Sequence, residues 1–298
     1  MPAVTSDPAL AVATLRPGQD VMGVFACARK DRLVTRAGTP YLALELRDRT
    51  GAIPARAFRD ADVLAGRFER GDLVRVAGRV ERFRDELQLE IRAITRVDPD
   101  TADPAQFLPV AYRDLDELDG FLEHLAREVH DPGYSALLER LLGDTDLRAQ
   151  LRRAPCTRGG HHAYLGGLLE HTVAVGTLAT ETCILHPRLN SDLLICAALV
   201  HDIGKTREFT YGAEIGLTDE GRLLGHVELG VQMIGERARA AGLDAERLAA
   251  LLHCVLLHHG ADPAAGRRFA SAEALALQRL NALDASVKGA LEHGLQST

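Results

Sequence analysis

The sequence predicts two domains in series, a five-stranded β-barrel followed by an all-helical domain, so its fold class is multidomain β plus all-α. Three observations predict this. Residues 20–97 consist of short runs in which apolar and polar residues alternate, separated by turn signals such as Arg49-Thr50-Gly51 and Arg84-Asp85. Residues 98–113 open on a Pro/Asp-rich stretch, DPDTADPAQFLP, of the kind that joins domains. From residue 114 onward apolar residues recur at i, i+3 and i+4, the period of an amphipathic helix. At 298 residues the chain suits one large or two modest domains, with a core that needs no disulfides.

Residues 1–19 carry Pro and acidic residues without a basic leader, and are expected to be a disordered lead rather than a secretion signal. VMGVFACARK, YLALELRD, AIPARAF, LVRVAGRVERF and ELQLEIRAI supply five strands over 20–97, with a short helical stretch near residues 60–68. Five strands with a helix between the third and fourth suit a Greek-key barrel of the OB type. The run Leu44-x-Leu46-x-Asp48-x-Thr50-Gly51-x-Ile53 is similar to that of OB domains that bind nucleic acids. Phe25 and Phe58 are expected to fill the barrel core. Beyond the linker of 98–113, the helical domain of 114–298 reads through LDGFLEHLAREV, YSALLERLLG, GLLEHTVAVGTLATETCIL, SDLLICAALVHDIGK, GHVELGVQMIGERARAAG, AERLAALLHCVLLHHG and SAEALALQRLNALDASVKGALE.

Charge divides the two halves. The formal net charge of −7 alone argues against a nucleic-acid partner, but residues 20–97 hold 16 Lys and Arg against 12 Asp and Glu, leaving −11 for the remainder. A basic barrel can hold a single strand through phosphate contacts and aromatic stacking, which makes Lys30, Arg32, Tyr41, Arg56 and Arg82 candidate strand-binding residues. Only three lysines occur, Lys30, Lys205 and Lys288, so each draws attention. The five cysteines form no C-x-x-C pair, and an odd number cannot close fully into disulfides. Reduced thiols in a cytoplasmic protein are expected. No run of about 18 apolar residues is present, so no membrane partner is expected.

Nine of the twelve histidines lie between residues 161 and 259. His171 sits inside an apolar helix, His201-Asp202 ends the apolar run CAALV, His226 opens a helix after Gly225, and His258-His259 ends another before Gly260. Burying so many titratable groups is costly unless coordination bonds compensate. A mixed His/Asp set suits borderline or harder cations and can hold one metal ion or two adjacent ones. Lys205 follows His201 by four residues and would share its helix face, where an ammonium suits a phosphate oxygen.

Four ordered segments carry a resemblance: HHAYLGGLLEHT from His161, LVHDIGKTREF from Leu199, LTDEGRLLGHVELG from Leu217 and LLHCVLLHHG from Leu251. Together they resemble the HD superfamily of metal-dependent phosphohydrolases and, within it, the YhaM family of 3′→5′ exoribonucleases, over nearly the whole chain. The resemblance implies a principal metal set of His171, His201 and Asp202, and a second position completed by His226, His258 and His259. It gives Asp202 and Lys205 catalytic roles, with Lys205 on the scissile phosphate, and places His161 and His162 at substrate phosphate or in support of the ligands. Where the family reads Asp-Asn-Leu-Asp-Ala-Lys, this chain reads Asn281-Ala282-Leu283-Asp284-Ala285-Ser286, so either Asn281 or Asp284 closes the site.

The implied cofactor is one or two divalent ions, Mn²⁺ foremost, with Fe²⁺, Co²⁺ or Zn²⁺ as alternatives. The implied activity is hydrolysis of single-stranded RNA, and also DNA, to nucleoside 5′-monophosphates, by a protein that can form a homo-oligomer. Two rival readings stand beside it. One is an HD phosphohydrolase of a free nucleotide or cyclic dinucleotide, against which the strand-binding barrel speaks. The other is a nucleic-acid-binding protein with a weakened HD site, for which Asn281 speaks.

Overall fold

The computed structural model describes residues 11–264 and 266–294, which divide into two compact units. The barrel unit takes the described residues up to Pro109 together with Tyr211–Ile215. The helical unit takes Val110–Thr210 and the described residues from Gly216 onward.

The barrel unit contains β1 (Asp20–Val34), β2 (Pro40–Asp48), β3 (Gly51–Ala57), α1 (Ala61–Ala65), β4 (Leu73–Phe83) and β5 (Glu86–Val97). Their order around the closed barrel is β1-β2-β3-β5-β4. All neighbours are antiparallel except β3 and β5, which run parallel through Ala55 opposite Leu89, and β4 pairs with β1 to complete the ring. This is the five-stranded OB-type barrel that the alternation predicts. Inward positions carry Phe25, Leu42, Leu46, Ile53, Val76 and Leu89, all buried. The β4–β5 register shifts between Ala77 and Gly78. A Cβ on Gly78 would lie 2.3 Å from the Glu90 carbonyl oxygen, so only glycine admits this close crossing.

Two expectations are corrected here. The disordered lead lies partly outside the described residues, but from residue 11 onward the chain is folded. Val12–Thr14 form a 3₁₀ turn whose Val12 amide donates to Asp48 at 2.7 Å, and Leu15 enters the barrel core. The stretch 98–113 is not a free linker over its first part. Pro99–Thr101 and Pro104–Gln106 form 3₁₀ turns, Asp103 caps the second through the Ala105 amide, and Phe107 is buried with Ala26 and Leu73. The aromatic residue supplies the burial that a Pro/Asp-rich composition alone would not suggest.

The helical unit contains α2 (Leu115–Arg127), α3 (Pro132–Leu142), α4 (Thr145–Arg153), α5 (Gly167–Leu185), α6 (Ser191–Val200), α7 (Lys205–Glu208), α8 (Asp219–Ala241), α9 (Ala245–Leu257) and α10 (Ala272–His293). One departure from all-α is a short hairpin of β6 (Phe209–Tyr211) and β7 (Ile215–Leu217), of which the turn and strand ends belong to the barrel unit. Helix starts follow the capping rule. Asp114, Asp131, Asp144, Asn190, Thr218, Asp244 and Ser271 each accept a hydrogen bond from a backbone amide of the first turn. Every residue from Leu193 to Val200 of α6 is buried, as expected of a helix that is apolar all round. Helix α6 therefore forms the centre of the unit, and its C-terminal end delivers His201-Asp202 into the interior. No helix among the described residues is long and apolar enough to cross a membrane.

Candidate metal centre

The site grows from the buried end of α6. His201 and Asp202 follow Val200 in a tight turn that leads into α7, and both are almost completely excluded from solvent. Helix α5 brings His171, the α8 kink at Gly225 brings His226, and the end of α9 brings His258 and His259. At Gly225 the backbone has φ 74° and ψ 163°, outside the helical region and open to glycine, which restarts the helix with His226 turned inward.

Hydrogen bonding assigns the ring nitrogens. The Nδ1 of His201 is 2.8 Å from the Ala198 carbonyl, and that of His258 is 2.5 Å from the Val255 carbonyl. A carbonyl only accepts, so each Nδ1 carries the proton and each Nε2 is a lone pair. His226 places Nδ1 3.2 Å from a Glu208 carboxylate oxygen, and His171 places Nδ1 2.6 Å from Asp284 Oδ2. The four free Nε2 atoms converge on Asp202. Oδ2 lies 3.5 Å from His171 and 3.4 Å from His201, while Oδ1 lies 3.5 Å from His226 and 3.4 Å from His258. His171 and His201 face each other Nε2 to Nε2 at 3.3 Å.

Acceptors aimed at acceptors at these separations repel unless a cation lies among them. Asp202 Oδ1 and His258 Nε2 are moreover buried without a hydrogen-bond partner. Imidazoles with Nδ1 anchored on a carbonyl or carboxylate and Nε2 free have the form of metal-ligating histidines. The residues thus fit a divalent cation, as two groups that share the Asp202 carboxylate: His171, His201 and Asp202, and Asp202, His226, His258 and His259. His259 joins the second group with Nε2 2.9 Å from that of His226.

Charge around Asp202 is unusual. Burial opposes its ionised form, but the Lys205 ammonium, 2.7 Å away, holds its pKa well below the usual carboxylate range. Burial likewise works against the charged lysine, and Asp202 outweighs it and raises the Lys205 pKa. Lys205 Nζ is also 3.5 Å from the Cys156 thiol, itself 3.8 Å from His161 Nε2. Burial pushes that thiol up to about 12, so it is neutral. A cavity of about 430 Å³ opens beside Lys205, His161, His226, His258, His259 and Asn281.

The two residues considered for closing the site differ in what they offer. Asn281 donates its amide to the His258 carbonyl at 3.2 Å. Asp284 directs Oδ2 at His171 and, at 3.0 Å, at His162 Nε2. Burial disfavours its charge, but these two imidazoles outweigh burial and hold its pKa far below the ordinary value. His162 is only 1% exposed, so it supports Asp284 and does not face the cavity as His161 does. It continues outward through the Tyr164 hydroxyl at 2.9 Å to Glu170, which Lys288 neutralises at 2.8 Å. His253 accepts from the Ala270 amide, away from the cluster.

Sequence reasoning missed Cys156, Tyr164, Glu170 and Glu208. Glu208 had a signal, since it lies one helical turn beyond Lys205. Tyr164 and Glu170 stand inside the segment that carries His161 and His171. Cys156 had none, because His161, five residues on, makes no recognisable motif with it and Asp202 and Lys205 are far along the chain.

On the barrel, the candidate strand-binding residues separate. Lys30 is withdrawn from that set: its ammonium donates to the Ala65 carbonyl at 2.6 Å and to Phe68, and pairs with Glu69 at 3.0 Å, so it caps the end of α1. Arg32 is exposed but paired with Asp62 at 2.6 Å. Tyr41 stacks on Phe58 with ring centres 5.4 Å apart. Arg56 lies over both Tyr41 and Phe83, at 5.6 and 5.2 Å, and Arg84 lies 5.3 Å from the Phe83 centre. Arg82 is exposed nearby on β4. Phe25 is in the core as expected, but Phe58 is not: it is 42% exposed, and Phe83 is 47% exposed. The result is an open ledge of aromatic rings and guanidinium groups on β2, β3 and the β4–β5 turn.

Comparison with known proteins adds kinship to this geometry. Residues 168–287 match the family described as HD domain, and residues 27–97 match the family described as OB-fold nucleic acid binding domain. The 3′-5′ exoribonuclease YhaM of Oceanobacillus iheyensis is 30% identical over 244 residues, covering 82% of this chain and 76% of that protein. The protein of the same name from Halalkalibacterium halodurans is 28% identical over 243 residues, covering 81% and 75%. That from Bacillus subtilis is 29% identical over 224 residues, covering 75% and 71%.

Proposed function

Because the chain belongs to the YhaM family of 3′–5′ exoribonucleases, we propose that it is a metal-dependent exonuclease that shortens single-stranded RNA from the 3′ end and releases nucleoside 5′-monophosphates. Single-stranded DNA is a second substrate on this reading, and the cytoplasm is its place of action. The observation that carries the proposal is the convergence of four free imidazole nitrogens on the two oxygens of Asp202.

His171, His201 and Asp202 would hold one divalent cation, and Asp202, His226, His258 and His259 a second. A donor set of imidazole and carboxylate suits Mn²⁺, with Fe²⁺, Co²⁺ and Zn²⁺ also accommodated. When bound, such ions supply Lewis acidity that activates water and neutralises charge on a phosphoryl group. The chain's own groups do the rest. Asp284 holds the His171 proton on Nδ1 and so keeps Nε2 free, and Glu208 does the same for His226. Lys205 contributes a fixed positive charge at the cavity wall, where it would meet the scissile phosphate. His161, at the same wall, would bind a phosphate oxygen. On the barrel, Tyr41, Phe58 and Phe83 would stack bases while Arg56, Arg82 and Arg84 meet phosphates.

The test is incubation of 5′-labelled single-stranded RNA with purified protein and Mn²⁺. A ladder that shortens from the 3′ end and disappears in His201→Ala supports the reading. Binding without cleavage, unchanged by His201→Ala, overturns it.

A further inference from the structure

We propose that Cys156, His161 and His171 form a further soft-metal site, overlapping the Asp202 group at His171, at which a thiophilic divalent ion such as Zn²⁺ or Cd²⁺ binds and inhibits. Nothing in the His/Asp groups around Asp202 requires a sulfur donor, yet a buried thiol stands beside them. The contrast with the other cysteines of this unit is informative. Cys196 and Cys254 are packed in the apolar core and Cys183 packs against it, whereas Cys156 faces His161, Lys205 and Asp202.

The geometry suits coordination. Zinc bonds of about 2.3 Å to sulfur and about 2.0 Å to nitrogen, at a tetrahedral angle, separate the two donors by about 3.5 Å. Cys156 Sγ and His161 Nε2 are 3.8 Å apart, so little movement is needed. One ring nitrogen of His171 completes a triad whose donor atoms all lie within 4.8 Å of one another. A fourth position stays open to water, as in many zinc sites. On binding, the ion takes the place of the thiol proton, which passes to solvent. Thiolate selects soft ions over Mn²⁺ or Mg²⁺, which are harder and prefer oxygen ligands.

Inhibition follows because His171 is common to both sites. An ion held by Cys156 and His161 draws on an imidazole that the Asp202 group needs, so the two occupancies compete. This consequence rests on the metal-dependent reading above; the binding itself does not.

The probe is Cd²⁺, titrated into the full chain while thiolate-to-metal charge-transfer absorption is followed in the ultraviolet. Imidazole and carboxylate ligands give no such band. A stoichiometric band is expected in the wild type, lost in Cys156→Ser and retained in Cys196→Ser. His161→Ala should bind about tenfold or more weakly. No band in the wild type, or an undiminished band in Cys156→Ser, overturns the site. Zn²⁺ inhibition of RNA hydrolysis is then compared at fixed Mn²⁺, each protein against its own uninhibited rate. The inhibiting concentration should rise at least about tenfold in Cys156→Ser. A lost band with unchanged inhibition overturns the inhibitory role alone. A Cys156-dependent band in a protein that hydrolyses no RNA supports the site and overturns the exonuclease reading.

Discussion

At Asp202, two oxygens of one buried carboxylate face four imidazole nitrogens whose protons are held elsewhere, and the Lys205 ammonium is the only full positive charge against it among the contacts described. Removing that carboxylate strands a lysine that is itself 5% exposed. Asp202→Ala should therefore lower the stability of the chelator-treated protein by about 3–5 kcal/mol, the cost of breaking a buried ion pair from one side. Denaturant midpoints check this, and an unchanged midpoint would show that Lys205 finds water. Adding Mn²⁺ should raise the wild-type midpoint, because an ion that binds the folded state stabilises it by mass action, and should leave Asp202→Ala nearly unmoved. A pH effect belongs at the same scale. Burial, followed by the nearby His171 and Lys205, depresses His161 from 6.5 to about 4. Between those values the unfolded chain binds a proton at this residue and the folded chain does not. Stability of the metal-free protein is thus flat above about 6.5 for this group and falls as pH drops toward 4. His259, depressed to about 3 chiefly by burial, acts in the same direction. His161→Gln should make the acid limb of a midpoint-against-pH curve shallower, and an identical limb would refute the assignment.

Elements hold these residues in place through close backbone crossings. A Cβ on Gly204 would lie 2.0 Å from the His226 carbonyl oxygen and 2.5 Å from the Gly230 nitrogen, so the turn after Asp202 and helix α8 touch main chain to main chain. Gly204→Ala strikes backbone atoms that no rotamer change can move. It should cost about 3 kcal/mol or more, the upper end of overpacking, and should weaken Mn²⁺ binding because α8 carries His226. Thermal melts with and without Mn²⁺ check both effects. Much of this framework was legible in the sequence. The strands announced themselves by alternation, the helices by their period and caps, and the helix ends that meet at the candidate centre by histidines that close apolar runs. What escaped was mostly non-local. Cys156 meets Asp202 across 46 residues, and Glu170 meets Lys288 across 118. No local pattern encodes those contacts. Phe58 was different, because its exposure was readable. Ile53, Ala55 and Ala57 point inward on β3, so the next side chain points outward by the two-residue period of a strand. Hydrophobicity suggested core where parity said surface.

Across the whole molecule the division of charge, a basic barrel sequence joined to a chain segment of net −11, accords with the proposed division of labour between holding a strand and cutting it. If the barrel contributes binding alone, damage to its ledge should affect affinity for long strands and leave the chemistry intact. Phe83 is the residue to test. It is 47% exposed, has Arg56 and Arg84 at 5.2 and 5.3 Å from its ring centre, and belongs to no core cluster among the described residues. Stacking one base on an aromatic ring contributes about 1–3 kcal/mol, so Phe83→Ala should raise KM for a long single strand roughly tenfold. The kcat on that strand, and both constants for a dinucleotide too short to span two sites, should stay at wild-type values. Arg56→Gln should weaken binding and reduce the dependence of log affinity on log salt by about 1, the signature of one lost phosphate contact. Lys30→Gln should leave that slope unchanged, since its ammonium is spent on the carbonyls that end α1. An equal loss of kcat on the dinucleotide in Phe83→Ala would mean that the barrel shapes the chemical step itself, and the division of labour would fall with it.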